Sequence, residues 1–432
     1  MATIDVKKTG LTDDQADIIR QTLPVVGANI GDITPNFYRR MFTAHPELLA
    51  DTFNRGNQKQ GAQQKALAAS VATFAATLVD PDAPAPEELL ARIGHKHLAT
   101  GIVEEQYPIV HKHLFDAIEE VLTPEVFQGA VRDAWDAVYL EMQRVLVDFE
   151  KQLYDESGVA PGDVFRAAEV VSREDLSDDI VVFGVRGKAE ELPGFTPGQY
   201  ISVRQTMADG AGQLRQYSLV GVPGDGVLKF AVRRVGADEV AGLPAGEVSN
   251  KLCDDVRVGD EIEISLPAGD LVLDTESDGP VVLVSAGIGA TPMVGMLNYL
   301  AANGSQRRVL SVHADRSEAA DVLAAERTAA VEALANGTEK RWLEPDFMDL
   351  SDKGGVELPE GAEFYICGGN GFLQHVRDQL AERGVDRSRI HFRAVQPERL
   401  AARRLNGEAV RRLGADGAAP LSPRPPSPAV GR

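Results

Sequence analysis

Apolar residues recur at helical spacing over the first third of the chain. Leu67, Val71, Phe74 and Leu78 form one stripe over 57–79, and Tyr107, Val110, Leu114, Ile118 and Val121 form another over 107–122. Trp135, Tyr139, Met142, Leu146 and Leu153 form a third over 126–153. The run Asp80-Pro-Asp-Ala-Pro-Ala-Pro86 interrupts the pattern and predicts a helix starting just after it, over 87–100. After Ser157-Gly158 the period changes. Short β-branched runs at 179–186, 199–205, 215–221, 227–235 and 261–265, separated by Gly and Pro, predict an antiparallel barrel or sandwich. From residue 280, buried strands at 280–285, 309–313 and 363–367 alternate with glycine-rich turns and helices, the pattern of a parallel α/β sheet. The expected organisation is therefore helical over 1–154, a β-barrel over 159–275 and an α/β unit over 279–397. Residues 398–432 lack aromatics and isoleucine, carry five prolines within 420–428, and read as a disordered tail.

A length of 432 residues fits about three domains at roughly 150 residues each. The formal net charge is −21. The tail carries seven arginines against three acids, so the first 397 residues hold −25. A body this acidic argues against nucleic acid and anionic membranes as partners. Two cysteines, Cys253 and Cys367, do not make a disulfide framework. No apolar run approaches the roughly 20 residues of a membrane span, and the first residues carry no secretory signal, so a soluble, cytoplasmic protein is expected.

Several polar groups lie on stripes that should face a core. His97 follows Leu90 by seven residues and Ile93 by four, whereas His95 points to the opposite side. Gln63 lies four residues before Leu67, Tyr38 sits within an aromatic run over 36–42, and Glu150 lies four after Leu146. Each has an ordinary reading: a hydrogen-bonded core histidine, or a helix-end acid exposed by fraying. A buried polar group without a partner costs on the order of a few kcal/mol. One polar cofactor pocket would account for all four. His111 and His113 read as surface or helix-face residues.

Together these residues carry a resemblance. Phe37-Tyr38-Arg39-Arg40-Met41-Phe42, Phe53-Asn54, Asn57-Gln58 with Gln63 and Leu67, Lys96-His97, Gln106-Tyr107, and Trp135 with Glu150 are similar to a bacterial globin of the flavohaemoglobin family. The resemblance implies His97 as proximal haem ligand, with Tyr107 and Glu150 beside it. It also implies Phe53 at the haem edge, and Tyr38, Gln63 and Leu67 on the distal side, the Tyr38 hydroxyl donating to bound oxygen. A carboxylate that accepts the imidazole N–H makes the ligand more basic and pushes electron density onto iron.

In the middle third, Pro197-Gly198-Gln199-Tyr200, Arg215-Gln216-Tyr217-Ser218-Leu219 and the turn Ala245-Gly246-Glu247-Val248-Ser249 occur in the order seen in the ferredoxin–NADP reductase superfamily, which they resemble. Alone, the second piece is also an ordinary alternating strand. The resemblance assigns Tyr200, Arg215, Gln216, Tyr217 and Ser218 to FAD, with Gly246, Val248 and Ser249 near its phosphates. In the last third, Ser285-Ala286-Gly287-Ile288-Gly289-Ala290-Thr291-Pro292 follows a strand and opens a helix, suited to a pyrophosphate. Cys367 and Gly368 lie near the nicotinamide by the same resemblance, although Cys367 alone also reads as an inert buried thiol. Asp315 would suit a ribose hydroxyl and Arg316 a 2′-phosphate, leaving NADH and NADPH both open.

The resemblance covers 10–392 and then breaks. Where the family has an acid beside Lys96 and the flavin edge, this chain has Arg393, and Val395 replaces the aromatic that stacks on the flavin. The activity implied is that of a nitric oxide dioxygenase: NAD(P)H reduces FAD, FAD reduces haem, and NO with O2 becomes nitrate. Alternatives are an oxidoreductase using another donor on the same scaffold and a haem-based O2 or NO sensor. A monomer is expected.

Overall fold

The computed structural model describes residues 10–55, 62–80, 86–189, 191–237 and 244–395, apart from the side chains of 62–69 and 88. The 398–432 tail and Gln396-Pro397 lie outside the described residues. Among the described residues seven α-helices come first: α1 Asp13–Ala28, α2 Ile30–Ala44, α3 Pro46–Asp51, α4 Ala62–Val79, α5 Glu87–Leu98, α6 Tyr107–Leu122 and α7 Ala130–Ser157. Thr12 caps α1 in a reciprocal box with Gln15. The last helix starts at Ala130, later than its apolar stripe suggests, because Thr123 and Gly129 take φ of 64° and 52°. Ile19, Ile33, Phe37, Met41, Phe74 and Val138 fill the core, and the buried Trp135 donates its indole N–H to Thr22 Oγ1 at 3.0 Å.

Next come β1 Phe165–Ser177, β2 Ile180–Gly187, β3 Tyr200–Thr206, β4 Gly212–Ser218, β5 Leu228–Arg233, α8 Glu247–Asp255 and β6 Glu261–Ser265. The antiparallel sheet runs β4-β3-β6-β1-β2-β5. Its two edges meet at the Leu219–Phe230 bridge, where Val220 N–H donates to Lys229 O at 2.8 Å, so the sheet closes on itself. Five of its six strands follow the predicted runs. The longest, β1, does not: register shifts at Val170/Ser172 and Asp175/Ser177 break its alternation, and Arg173, Glu174 and Asp175 dilute its β signal.

The last unit holds β7 Val281–Ala286, α9 Ala290–Ala302, β8 Val309–Asp315, α10 Ala324–Glu332, β9 Gly337–Leu343, β10 Glu363–Gly368, α11 Asn370–Glu382 and β11 Ile390–Ala394. All its strands pair in parallel, in the order β11-β10-β7-β8-β9. The order reverses between β7 and β10, which opens a ligand crevice at their carboxyl ends.

The three units are joined by polar contacts. The Gln213 amide donates to the carbonyls of Leu49, Ala50 and Phe53 at 3.2, 2.9 and 3.3 Å. Arg92 donates to Phe392 O at 3.1 Å. Among the described residues no helix is long and apolar enough to cross a membrane.

Candidate active site

The geometry is tightest at the end of α5. Gly94 lets α5 approach α7: a Cβ there would meet the Phe149 ring at 2.5 Å. One turn later, His97 Nδ1 lies 2.6 Å from Glu150 Oε1, the same oxygen that accepts from the Tyr107 hydroxyl at 2.6 Å. His97 Nδ1 is also 3.2 Å from the Tyr107 oxygen. A carboxylate only accepts, so the imidazole proton sits on Nδ1. His97 Nε2 makes no hydrogen bond among the described residues. The Glu150 side chain is 4% exposed, which rules out a frayed helix-end acid. Burial, and then the Glu150 charge, push the Tyr107 hydroxyl far above the ordinary phenol range, keeping it a donor.

Two tyrosines of α7 hold this arrangement. Tyr139 donates to Tyr107 O at 3.0 Å and Tyr154 to Ile102 O at 2.7 Å. Tyr139 was visible on its stripe. Tyr154 gave no signal, because its partner is a backbone carbonyl in the loop between α5 and α6. Tyr139→Phe is expected to cost about 1 kcal/mol, read as a lower denaturation midpoint with haem still bound.

Tyr38, on α2, is buried and its ring lies 4.6 Å from Phe37, 5.4 Å from Phe42 and 5.9 Å from Phe53. Gln63 and Leu67 lie on α4, but their side chains fall outside the described residues. His111 Nε2 pairs with Asp136 at 2.7 Å on a helix face, as expected. His113, expected at a surface or helix face, is buried, its ring 5.6 Å from that of His45.

In the barrel, β3 pairs Tyr200 with Ser218 and Ser202 with Gln216. Arg215 and Tyr217 share one face of β4 and Gln216 and Ser218 the other, so the strand does not present all four together. The Gln216 amide donates to Ser202 Oγ at 3.1 Å, and the Tyr217 ring lies 5.5 Å from Phe230. Gly246 caps α8, where a Cβ would lie 2.5 Å from Ser249 Oγ. The Val248 side chain belongs to the barrel core, leaving only its main chain for a phosphate.

At the crevice, Gly287 takes φ of 53° and Gly289 packs so closely that a Cβ would lie 2.3 Å from Cys367 O. The Gly287–Gly289 turn and the Cys367-Gly368 strand end therefore lie side by side. Ala290, Thr291 and Pro292 are buried in the first turn of α9, and Thr291 donates to Ile288 O at 3.0 Å. Burial pushes the Cys367 thiol up to about 12, so it is inert at neutral pH. The Asp315 carboxylate, one of the two groups weighed for the ribose, is turned inward: its side chain is 4% exposed and lies 3.6 Å from His313 Nε2. The main-chain N–H of Arg316 donates to its Oδ1 at 2.8 Å, while Oδ2 is buried without a hydrogen-bond partner.

The three units converge around Tyr200. The Arg393 guanidinium lies 3.7 Å over the Tyr200 ring, and its buried Nη1 has no hydrogen-bond partner. Gly269 N–H donates to His95 Nδ1 at 3.3 Å, so His95 faces the barrel. Desolvation, and then the Arg393 charge, lower the Lys96 ammonium from the ordinary lysine range. Arg393 also lowers His95, behind burial and partly against Asp270. Arg393 and Lys96 thus place two cations near enough to act on each other. Val395 donates its N–H to Gly368 O at 2.9 Å and packs on the α/β core.

Fold and site together define a globin joined to a ferredoxin reductase-like module. A globin family model matches residues 35–146. The chain is 36% identical over 404 residues to a Flavohemoprotein of Chromobacterium violaceum, spanning 88% of this chain and 97% of that one. It is 37% identical over 401 residues to a Flavohemoprotein of Bordetella parapertussis, with coverage of 88% and 97%. The crystal structure of a flavohemoglobin from Malassezia yamatoensis with bound FAD and heme superposes with a TM-score of 0.79 at 30% identity, covering 90% of this chain and all of that one. The chain belongs to the flavohemoprotein family.

Proposed function

We propose that this protein is an NAD(P)H-dependent nitric oxide dioxygenase, monomeric and cytoplasmic, with haem held by residues 1–154, FAD by 159–275 and the nicotinamide coenzyme by 279–397. The observation that carries the reading is the single Glu150 oxygen shared by His97 Nδ1 and the Tyr107 hydroxyl, each at 2.6 Å. That arrangement leaves His97 Nε2 as the nitrogen for iron, and so fits a haem. When bound, the haem, FAD and nicotinamide supply the electron transfer that turns NO and O2 into nitrate. The chain's residues supply position and charge. Glu150 and Tyr107 keep the proton on Nδ1, fix the ring and make Nε2 a stronger donor. Tyr38, with Gln63 and Leu67, lines the opposite side and offers a hydroxyl there, and Phe53 packs at the edge. Tyr200, Arg215, Tyr217 and Ser218 hold the flavin, with Gln216 bracing the strand through Ser202, while Gly246 and Ser249 approach its phosphates. Gly287–Pro292 and Cys367-Gly368 hold the dinucleotide at the switch point, where the glycines let backbone N–H groups come close.

The test is anaerobic reduction of purified holoprotein by NADH or NADPH, followed by a pulse of O2 and NO. Haem reduction and stoichiometric nitrate are expected. Haem that stays oxidised, or reduced haem that leaves NO unconsumed, would refute the proposal.

A further inference from the structure

In dinucleotide folds an acid at the end of the second strand holds the ribose 2′-hydroxyl of NAD, and a nearby arginine accommodates a 2′-phosphate. Here that strand is β8, and its end is asymmetric. Asp315 Oδ1 accepts the N–H of Arg316 at 2.8 Å, and Oδ2 faces His313. His313 is itself fixed: Nδ1 lies 2.8 Å from Ser285 Oγ and Nε2 3.1 Å from Asp321. Asp321 is clamped by the buried Arg327, with both contacts at 2.9 Å, and touched by Arg341 at 3.3 Å; Arg327 also reaches Glu339 at 2.6 Å. The Asp315 side chain is 4% exposed, and its Oδ2 is buried beside this network without a hydrogen bond of its own, so the carboxylate points inward and not along the strand end that Arg316 occupies. Arg316, by contrast, is exposed and makes no ion pair among the described residues. The Ser317 hydroxyl is next to it, and Arg341 on the adjacent β9 is 39% exposed.

We infer that this site selects NADPH over NADH, with Arg316 as the residue that reads the 2′-phosphate. The inference rests on the dinucleotide reading of the Gly287–Gly289 turn. A guanidinium suits a phosphate dianion through paired N–H donors, and the sequestered Asp315 removes the charge that would repel it.

The experiment measures kcat/KM for both coenzymes in the holoprotein, and calorimetric binding of adenosine 2′,5′-bisphosphate against adenosine 5′-phosphate. NADPH is expected to be used at least tenfold more efficiently, and the bisphosphate to bind at least tenfold tighter. Arg316→Ala should erase both ratios, lowering NADPH efficiency at least tenfold more than NADH efficiency. A preference for NADH, or equal losses for the two coenzymes in Arg316→Ala, overturns the inference. So does a selective loss of NADH efficiency in Glu318→Gln, which would assign the ribose to that exposed carboxylate. If neither coenzyme reduces the flavin, the proposed function fails, while the calorimetric ratio still decides the selectivity.

Discussion

Glu150→Gln is expected to slow NO turnover by about 10- to 100-fold while haem stays bound, the scale found for residues that orient a metal ligand. The amide keeps the shape of the side chain and one acceptor oxygen, but not the charge. That charge sits on a side chain 4% exposed, where it is screened little, and it is shared by two donors at 2.6 Å. Losing it makes the His97 imidazole a weaker donor to iron, so the iron–histidine stretching frequency of the reduced protein should fall as turnover falls. Tyr107→Phe is expected to slow turnover less, through looser positioning of Glu150, and without a fall in the stretching frequency, because the carboxylate keeps its charge and loses only a competing donor. His97→Ala should prevent haem retention, seen as loss of the Soret band after purification. If Glu150→Gln turns over at the parent rate with an unshifted stretch, the carboxylate does not tune the iron.

This part of the site is legible in the sequence, because it is built on helices. A helix repeats every 3.6 residues, so His97 with Ile93, and Glu150 with Leu146, place polar groups among apolar ones by spacing alone. What spacing does not carry is how the polar groups are joined. Tyr154 acts through the carbonyl of Ile102, and no side-chain pattern marks a backbone acceptor. The strands were legible where they alternate cleanly. β1 was lost to two register shifts and a run of charge, and Gln216 was placed with the flavin although the two-residue period turns it toward Ser202.

The orientation of Asp315 is illegible in the sequence for a different reason. Its position at a strand end is a sequence property, but its orientation depends on His313, Asp321 and Arg327, which come from three separate segments. Charge pairing between a strand, a loop and a helix that fold back on one another leaves no periodic trace in the sequence. The same limit explains why the departure at Arg393 was visible as a residue change, while its partners were not. Contact with Tyr200 and opposition to Lys96 appear only once helix, barrel and α/β unit are together.

Arg393→Glu is expected to make haem reduction about tenfold faster or more, and to lower the midpoint potential of bound flavin. The guanidinium lies 3.7 Å over Tyr200, the side chain proposed to hold the flavin, and its Nη1 lacks a partner. A cation beside a group that gains electrons favours the reduced form, so electrons delivered by the coenzyme are retained there. Asp270 offsets part of this charge, but its carboxylate also lies 3.5 Å from Arg92 Nε, so it is shared between two guanidinium groups. A carboxylate at 393 reverses the field. It attracts Lys96, whose ammonium pKa should rise once the Arg393 charge no longer lowers it, and it disfavours the negatively charged reduced flavin. A tenfold change in a one-electron equilibrium corresponds to about 59 mV, so a shift of that order is the expected readout in a spectroelectrochemical titration. Arg393→Gln should fall between the two, which separates charge from shape, and Arg393→Lys should stay near the parent. Stopped-flow haem reduction should follow the same order, because the driving force for the transfer changes with the flavin potential. An unchanged potential in Arg393→Glu would mean that the guanidinium does not act on the flavin at all, and that its stacking on Tyr200 only fastens β11 to the barrel.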